Sequence, residues 1–306
     1  MTKPRARIVI GTRGSPLALA QAELTRTALI ADDPTLAEDG AIAIRVIRTT
    51  GDQVQDRPLA EIGGKGLFTK EIEEALLDGS IDLAVHSMKD VPTVLPEGLV
   101  IACHLPREDP RDALIGEGLA DLDDLPEGAL VGTASLRRQA QLLARRPDLR
   151  VVPLRGNVGT RLAKLARGEV RATFLAMAGL RRLGIKDAPI RALAPEQMLP
   201  AVAQGAVGLE IRADDAALRE RLARLDDPAT TTCVVAERAL LAVLDGSCRT
   251  PIAAHARLTG DDGIVLDGLV AQPDGSGLRR TQRTGAIGEA AAIGRDAGDE
   301  LRAVPG

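Results

Sequence analysis

The sequence predicts an α/β protein with two similar α/β lobes followed by a small C-terminal α+β domain. Its 306 residues are more than one hydrophobic core usually serves, so two or three domains are expected. Short apolar runs alternate with helical stretches over the first two thirds, which favours parallel sheets covered by helices on both faces. The remainder carries alternating strand-like runs between two helical stretches, a pattern typical of a small α+β domain.

The first lobe opens with a strand and a helix. An apolar run at 7–11 precedes Ser15 and Pro16, which suit the N-cap and the first helical position of a helix over 17–30. The polar, glycine-bearing stretch 49–66 predicts a mobile loop with the cation Lys65 near its tip. The other elements predicted in this lobe are strands at 41–47 and 81–85 and a helix at 68–77.

The second lobe repeats this scheme. Residues 131–135 resemble residues 10–15, and both runs join a strand to a helix. Two such lobes with a cleft between them are the plan of anion-binding proteins. The elements predicted here are strands at 129–131, 151–154 and 171–177 and helices at 136–146, 161–167 and 179–183; in the third domain they are helices at 232–244 and 288–303 and strands at 252–258, 264–270 and 277–284.

These elements suggest three domains. We expect domain 1 at 1–105, completed by 200–225, an arginine-rich domain 2 at 106–199, and domain 3 at 226–306.

Positive charge is concentrated in one segment. Residues 131–191 contain twelve arginines, two lysines and three acidic residues, a balance of +11 in a chain whose net charge is −4. This distribution indicates a specific anionic ligand in a cleft. The alternative is a solvated surface in an arginine-rich protein, since the chain has 39 Lys and Arg in all and only six of them are lysine. Composition alone leaves both interpretations open.

Several function classes lose support. No run of about 18 apolar residues predicts a membrane span, and no signal-peptide pattern is present. Three cysteines without a CxxC pair favour a reducing, cytoplasmic compartment and argue against a thiolate metal site. Phe68 and Phe174 are the only aromatic residues, which weakens nucleic-acid binding by base stacking. Neither the P-loop nor the dinucleotide glycine pattern occurs.

Arginines stand beside predicted helix starts at three strand-to-helix junctions. Free N–H groups at a helix start favour an anion, and a guanidinium adds a fork matched to carboxylate or phosphate. Three such junctions in one α/β protein predict that several anionic groups are bound together. The arginines concerned are Arg13, Arg137, Arg138, Arg155 and Arg161.

Two further residues are candidates for chemistry. Asp90 follows a strand beside Lys89, so its carboxylate could meet a cation or a mobile proton, or it could simply initiate the turn before Pro92. Cys248 lies in a glycine-containing turn beside Arg249, which would favour the thiolate and make it a nucleophile or a point of covalent attachment.

Seven motifs in order resemble one family, the porphobilinogen deaminases, also called hydroxymethylbilane synthases. Such agreement across most of the chain is highly specific. This chain departs from the usual family pattern at Glu61, Ala134 and Ser247, where lysine, serine and glycine are common. The matching stretches are 12–18, 63–68, 84–92, 107–112, 132–139, 154–161 and 202–206.

The resemblance implies a cytoplasmic, monomeric transferase of tetrapyrrole synthesis that joins four porphobilinogen molecules head to tail and releases ammonia each time. The product would be hydroxymethylbilane, built on a dipyrromethane primer held by a thioether to Cys248. Two lobes would resemble periplasmic binding proteins, and the third domain would carry the primer. No metal, nucleotide, nucleic acid or membrane is implied.

The resemblance also implies roles for individual residues. Asp90 would be catalytic: it would be ionised and buried, and would stabilise the cation left by ammonia loss. The residues implied to bind the cofactor are Ser87, Lys89, Asp90, Thr133, Ser135, Arg137, Arg138 and Cys248. Those implied to bind substrate are Arg13, Ser15, Lys65, Arg155, Arg161, Arg182 and Gln204.

Two rival functions make different predictions. A non-catalytic binding protein for a small dianion would use the same lobes and arginines but would have no need of Asp90 or Cys248. A nucleic-acid-binding protein would show a steep salt dependence with any duplex.

Overall fold

A computed structural model describes residues 7–53, 66–244 and 250–303. The chain divides into two compact units, and it crosses between them more than once. Of the described residues, the first unit contains 7–53, 66–107 and 206–231. The second unit contains 108–205, 232–244 and 250–303.

The first unit is built on a five-stranded sheet in the order β2-β1-β3-β10-β4. β1 runs parallel to β2 and β3, whereas β10 runs antiparallel to both of its neighbours. The strands are β1 (Ile8–Arg13), β2 (Ile42–Ile47), β3 (Leu83–Ser87), β4 (Leu99–Leu105) and β10 (Val207–Arg212). The helices are α1 (Pro16–Asp32), α2 (Thr50–Gln53), α3 (Lys70–Leu77) and α7 (Ala216–Ala223).

The start of α1 confirms the predicted cap. Ser15 is in extended conformation and its hydroxyl accepts a hydrogen bond from Ala18 N at 3.2 Å, while Pro16 takes the first helical position. An N-cap of this kind satisfies one of the free N–H groups at the helix start. The helix then covers a sheet core in which Ile10, Leu83 and Leu209 are fully buried.

The second unit contains a sheet of the same design, in the order β7-β6-β8-β5-β9. β6 is parallel to β7 and β8, and β5 is antiparallel to β8 and β9. The strands are β5 (Asp112–Ile115), β6 (Leu130–Gly132), β7 (Arg150–Val152), β8 (Ala172–Ala176) and β9 (Ile190–Ala192). The helices beside them are α4 (Leu136–Arg145), α5 (Val158–Ala166) and α6 (Met177–Arg182).

Helix α5 begins earlier than the predicted start at residue 161. The side chain of Asn157 accepts a hydrogen bond from Thr160 N at 2.9 Å, so the cap lies at Asn157 and the helix at Val158. Asn is among the best N-cap residues because its side-chain oxygen replaces the missing backbone acceptor.

The predicted α/β class is confirmed, but the expectation of wholly parallel sheets is wrong. Each of these two five-stranded sheets has two parallel pairings followed by two antiparallel ones. The antiparallel strands β4, β5, β9 and β10 do not follow the strand–helix alternation on which the expectation rested. Consecutive strands can pair in parallel only where a crossover, usually a helix, returns the chain to the end of the sheet at which the first strand began.

The C-terminal part of the second unit is an antiparallel sheet in the order β11-β12-β13. Its strands are β11 (Ile252–Thr259), β12 (Gly263–Val270) and β13 (Arg279–Ala286). Two helices, α8 (Pro228–Val243) and α9 (Ala290–Ala303), accompany it. A side chain at Gly268 would meet Leu240 of α8 and Leu301 of α9, so both helices pack on one face of this sheet. The predicted α+β character is confirmed.

Along the described ranges, no helix combines the length and the apolar character needed to span a bilayer. The same part of the chain contains no group of three or more His, Cys, Asp or Glu side chains placed to hold a metal ion.

Candidate active site

Asp90 lies in a short turn at the carboxyl end of β3. A single turn of 3₁₀ helix, Met88–Asp90, follows the strand directly. Met88 is buried, and its N–H donates to Ala206 O at 3.1 Å, which fixes the turn against the start of β10. The expectation that Asp90 is buried is wrong, because its side chain keeps 31% of its surface. The turn presents this carboxylate to solvent at the edge of the sheet.

Arg13, the last residue of β1, lies beside Asp90. Its Nη1 lies 3.7 Å from Asp90 Oδ2. Its Nη2 and Nε bind Asp52 at 2.5 Å and 3.2 Å. The guanidinium carbon also lies 4.1 Å from the centre of the Phe68 ring, within the range of a cation–π contact. One guanidinium therefore joins β1, α2 and the residues before α3 to the Asp90 turn.

The Arg13–Asp52 pair is electrostatically strong. Burial alone would raise the pKa of Asp52, but the hydrogen bonds and charge of Arg13, together with Thr49, hold that pKa below its ordinary value. Thr49 donates to Asp52 Oδ2 at 2.9 Å. Asp52 is therefore ionised at neutral pH and keeps Arg13 in place beside Asp90.

The first unit also contains the predicted site residues Ser15, Ser87 and Lys89. The Ser87 hydroxyl is hydrogen-bonded to the side chain of the buried Gln21 on α1, at 2.9 Å from its amide nitrogen. Lys89 is exposed between Ser87 and Asp90. Ser15 uses its hydroxyl as an acceptor in the cap of α1. Ser87 is thus the residue of this set whose orientation is fixed by a buried partner.

In the second unit, Arg137 and Arg138 are buried in the first turn of α4, with 6% and 5% of their surface exposed. Both pair with Asp112, which is fully buried at the start of β5. Arg137 also donates to Leu199 O at 2.7 Å, and Arg138 to Phe174 O at 2.8 Å. Arg137 and Arg138, which are both predicted to bind the cofactor, therefore already share the carboxylate of Asp112.

The positive charge of Arg161 is mostly buried and lies near two other arginines. Burial and the nearby charges of Arg138 and Arg155 together lower the pKa of Arg161 to about 10. Its Nε donates to Gly156 O at 2.9 Å, and among the described residues no carboxylate lies within ion-pair distance of it. We call Arg138, Arg155 and Arg161 the arginine cluster. An anionic ligand beside Arg161 would compensate the burial of its charge.

Arg182 and Gln204 lie beside the segment that leads into β5. Burial lowers the pKa of Arg182 and Glu108 partly opposes this effect, while Nη2 donates to Gly205 O at 2.7 Å. Gln204 Nε2 donates to Pro110 O at 2.7 Å and to Asp112 Oδ1 at 3.0 Å.

Thr133 and Ser135 line the junction between β6 and α4. Ser135 caps α4 by accepting from Arg138 N at 3.4 Å, and its own N–H donates to the Thr133 hydroxyl at 3.2 Å. The junction therefore holds the first turn of α4, with Arg137 and Arg138, against the end of β6.

The predicted site residues thus fall into two described groups. The first unit contains Arg13, Ser15, Ser87, Lys89 and Asp90, and the second contains Thr133, Ser135, Arg137, Arg138, Arg155, Arg161, Arg182 and Gln204. Lys65 and Cys248 lie outside the described residues, as does Glu61.

Sequence reasoning missed four residues of these groups: Gln21, Asp52, Phe68 and Asp112. Phe68 offered a signal, because it is one of two aromatics in the chain and lies in a matching motif. Asp112 also lies in a matching motif, but nothing in its spacing indicates that two buried arginines converge on it.

A family model described as the dipyrromethane cofactor binding domain of porphobilinogen deaminase matches residues 8–220. A second model, the C-terminal domain of the same enzyme, matches residues 231–303. The chain belongs to the porphobilinogen deaminase family. The resemblance stated from the sequence is confirmed, and so are the enzyme class and the dipyrromethane cofactor.

Members of the porphobilinogen deaminase family match nearly the whole chain. Porphobilinogen deaminase of Paracoccus denitrificans is 57% identical over 302 residues, covering 99% of this chain and 96% of the relative. The chloroplastic porphobilinogen deaminase of Oryza sativa is 54% identical, covering 98% and 84%. Among solved structures, an arginine-specific periplasmic binding protein of Salmonella typhimurium matches with a TM-score of 0.39 at 11% identity, covering 74% and 94%.

Proposed function

We propose that this chain joins four porphobilinogen molecules head to tail into hydroxymethylbilane, with release of ammonia at each addition, as a step of tetrapyrrole synthesis. The observation that carries the proposal is the match of both family models, which together span residues 8–220 and 231–303. The arginine cluster adds independent support, because each pyrrole of the substrate bears an acetate and a propionate.

The charge of the arginine cluster fits a polycarboxylate cofactor. Arg161 is mostly buried without a described carboxylate partner, and it is close enough to Arg138 and Arg155 for their charges to lower its pKa. Guanidinium groups bind carboxylates through paired N–H donors, so several carboxylates on one ligand suit several converging arginines. Arg138, Arg155 and Arg161 would hold such side chains, with Arg182 beside Gly205.

Asp90 is the catalytic residue in this proposal. Loss of ammonia leaves a positive charge on the substrate, and an ionised carboxylate next to that charge lowers the barrier. The Asp90 turn is fixed by Met88, and Arg13 lies 3.7 Å from the carboxylate. Because Arg13 is also paired with Asp52, it leaves part of the Asp90 charge available.

The polar residues around these groups orient the ligands. When bound, the dipyrromethane supplies the acceptor pyrrole carbon from which the product grows. Ser87, Lys89, Thr133 and Ser135 would bind this cofactor together with Arg137 and Arg138. Ser15, Lys65 and Gln204 would bind substrate with Arg13, and Cys248 would be the point of attachment.

We extend the proposal to organisation and location. The domains would be 1–105 with 200–225, then 106–199 and 226–306, and the chain would act as a cytoplasmic monomer. The support is that Cys103 is a free thiol, which is usual in a reducing compartment. Light scattering of the purified protein at a known concentration tests the monomer.

The direct test is the intact mass of the protein. After expression in a haem-competent host, we expect a mass above that of the bare chain by one dipyrromethane unit, together with formation of hydroxymethylbilane from porphobilinogen. A bare chain that also forms no product would contradict the proposed function.

A second prediction concerns Arg161. We expect Arg161→Leu to raise the KM for porphobilinogen by about 10-fold or more, because a charge-assisted hydrogen bond contributes roughly 1.5–3 kcal/mol. Thermal unfolding should change little, since Leu relieves the burial of an uncompensated charge. Steady-state kinetics of this variant and of Arg167→Gln give the comparison, because Arg167 is exposed at the end of the same helix and pairs with Glu169. An unchanged KM would remove Arg161 from the site.

A further inference from the structure

Asp112 contacts three of the predicted ligand-binding side chains. Its carboxylate is fully buried and accepts hydrogen bonds from Arg137, Arg138 and Gln204. The donors come from two places in the sequence, the first turn of α4 and the segment before β10, and all three contacts are buried. Asp112 therefore lies at the centre of the second group of site residues.

The backbone of Asp112 is held on both sides. It pairs with Ala176 of β8, and its carbonyl accepts from Leu193 N at 2.8 Å. Because β5 is an interior strand and Asp112 is fully buried, this carboxylate has little freedom to move. The arginines must therefore orient towards Asp112.

The two guanidinium groups bind different oxygens of the Asp112 carboxylate. Arg138 presents Nε and Nη2 to Asp112 Oδ1 at 3.1 Å and 2.7 Å, while Arg137 presents Nη1 to Oδ2 at 2.6 Å. The backbone carbonyl of Leu199 accepts one further hydrogen bond from Arg137, and the backbone carbonyl of Phe174 accepts one from Arg138. Each guanidinium has five N–H donors, so both retain donors beyond these bonds.

The charges explain why a buried carboxylate is needed at this place. Both arginines lie in the first turn of α4, where the helix dipole disfavours a cation. Burial alone would raise the pKa of Asp112, but the two guanidinium groups lower it well below its ordinary value. One negative charge between two positive charges leaves one net positive charge for a ligand.

We propose that Asp112 is a positioning residue: it fixes the directions of Arg137, Arg138 and Gln204 and leaves this group with a single net positive charge for one ligand carboxylate. The proposal rests on the proposed function, because its ligand is the carboxylate-bearing pyrrole chain. Asp112 touches neither substrate nor cofactor and acts through the arginines. Its loss alters ligand binding beyond its effect on folding.

The test compares Asp112→Asn and Asp112→Glu with the wild type and with Asp123→Asn. Asp123 is a matched control, because it makes a bidentate pair with Arg145 at the other end of α4 and is exposed. For each protein the intact mass, the thermal unfolding, the KM for porphobilinogen and kcat are measured. The wild type must first carry the primer mass and form product; if it does neither, the proposed function fails and not the role of Asp112.

We expect Asp112→Asn to carry the primer on a smaller fraction of molecules and to raise KM by about 10-fold in the loaded fraction. Asp112→Glu keeps the charge but lengthens the arm, so it should unfold near the wild-type temperature and still raise KM. Asp123→Asn should match the wild type throughout. If Asp112→Asn does not fold, Asp112→Glu decides. Wild-type KM and primer loading in the Asp112→Glu variant would overturn the proposal and leave Asp112 a purely structural residue.

Discussion

Asp90→Asn is expected to lower kcat by about 10²–10³-fold while the primer mass stays on the protein. The amide has nearly the shape of the carboxylate but no charge, so the variant removes the stabilisation of the substrate cation and little else. Arg13, which lies 3.7 Å from Asp90, would then face a neutral group and stay bound to Asp52. The loss should therefore fall on the chemical step rather than on the fold.

Single-turnover rates of Asp90→Asn and of the wild type measure this effect, and intact mass checks the primer. Glu74→Gln is a suitable control, because Glu74 is exposed on α3 and has only a 3.9 Å surface contact with Lys70. Surface pairs of this kind contribute little to stability. If Asp90→Asn kept half of the wild-type rate, Asp90 could not be the catalytic residue.

Cys248→Ser is expected to abolish both the primer and turnover. A thioether needs a thiolate as its nucleophile, and a serine hydroxyl ionises far above neutral pH. The purified variant should have the mass of the bare chain, and product formation should fall to the background without enzyme. Mass spectrometry and a product assay on the same sample are sufficient.

The two other cysteines provide the controls. Burial and the negative charge of Asp226 together raise the pKa of Cys103 to about 12, so that thiol is inert at neutral pH. Cys233 is also buried, with 7% of its surface exposed. Cys103→Ala and Cys233→Ala should therefore keep the primer mass. A primer retained by Cys248→Ser would place the attachment on another residue.

Local signals in the sequence predicted the local structure well. Ser15 and Pro16 specified the start of α1, because capping and the fixed backbone angle of proline act within one turn. The strands before the Arg13 and Asp90 turns also followed from apolar runs broken by polar residues, although both strands end two residues later than predicted, at Arg13 and Ser87. Such signals depend on neighbours in the chain and can be read without the fold.

Long-range pairings could not be predicted in this way. Asp52 meets Arg13 across 39 positions, and Asp112 meets Arg137 across 25. An aspartate has the same local pattern whether it ends on the surface or between two buried arginines. The antiparallel direction of β10 was hidden for the same reason, because its partners β3 and β4 lie more than a hundred residues earlier in the sequence.

The place of β10 also determines the order in which the sheets can be completed during synthesis. β10, at 207–212, is an interior strand between β3 and β4, whereas every strand of the other five-stranded sheet comes from 112–192. A chain made from its N-terminus can therefore finish the later sheet first, while β3 and β4 still have open hydrogen-bonding edges. The sheet that contains β1 to β4 begins to form first but is completed last. Nascent chains shorter than 207 residues should therefore be the most prone to aggregate.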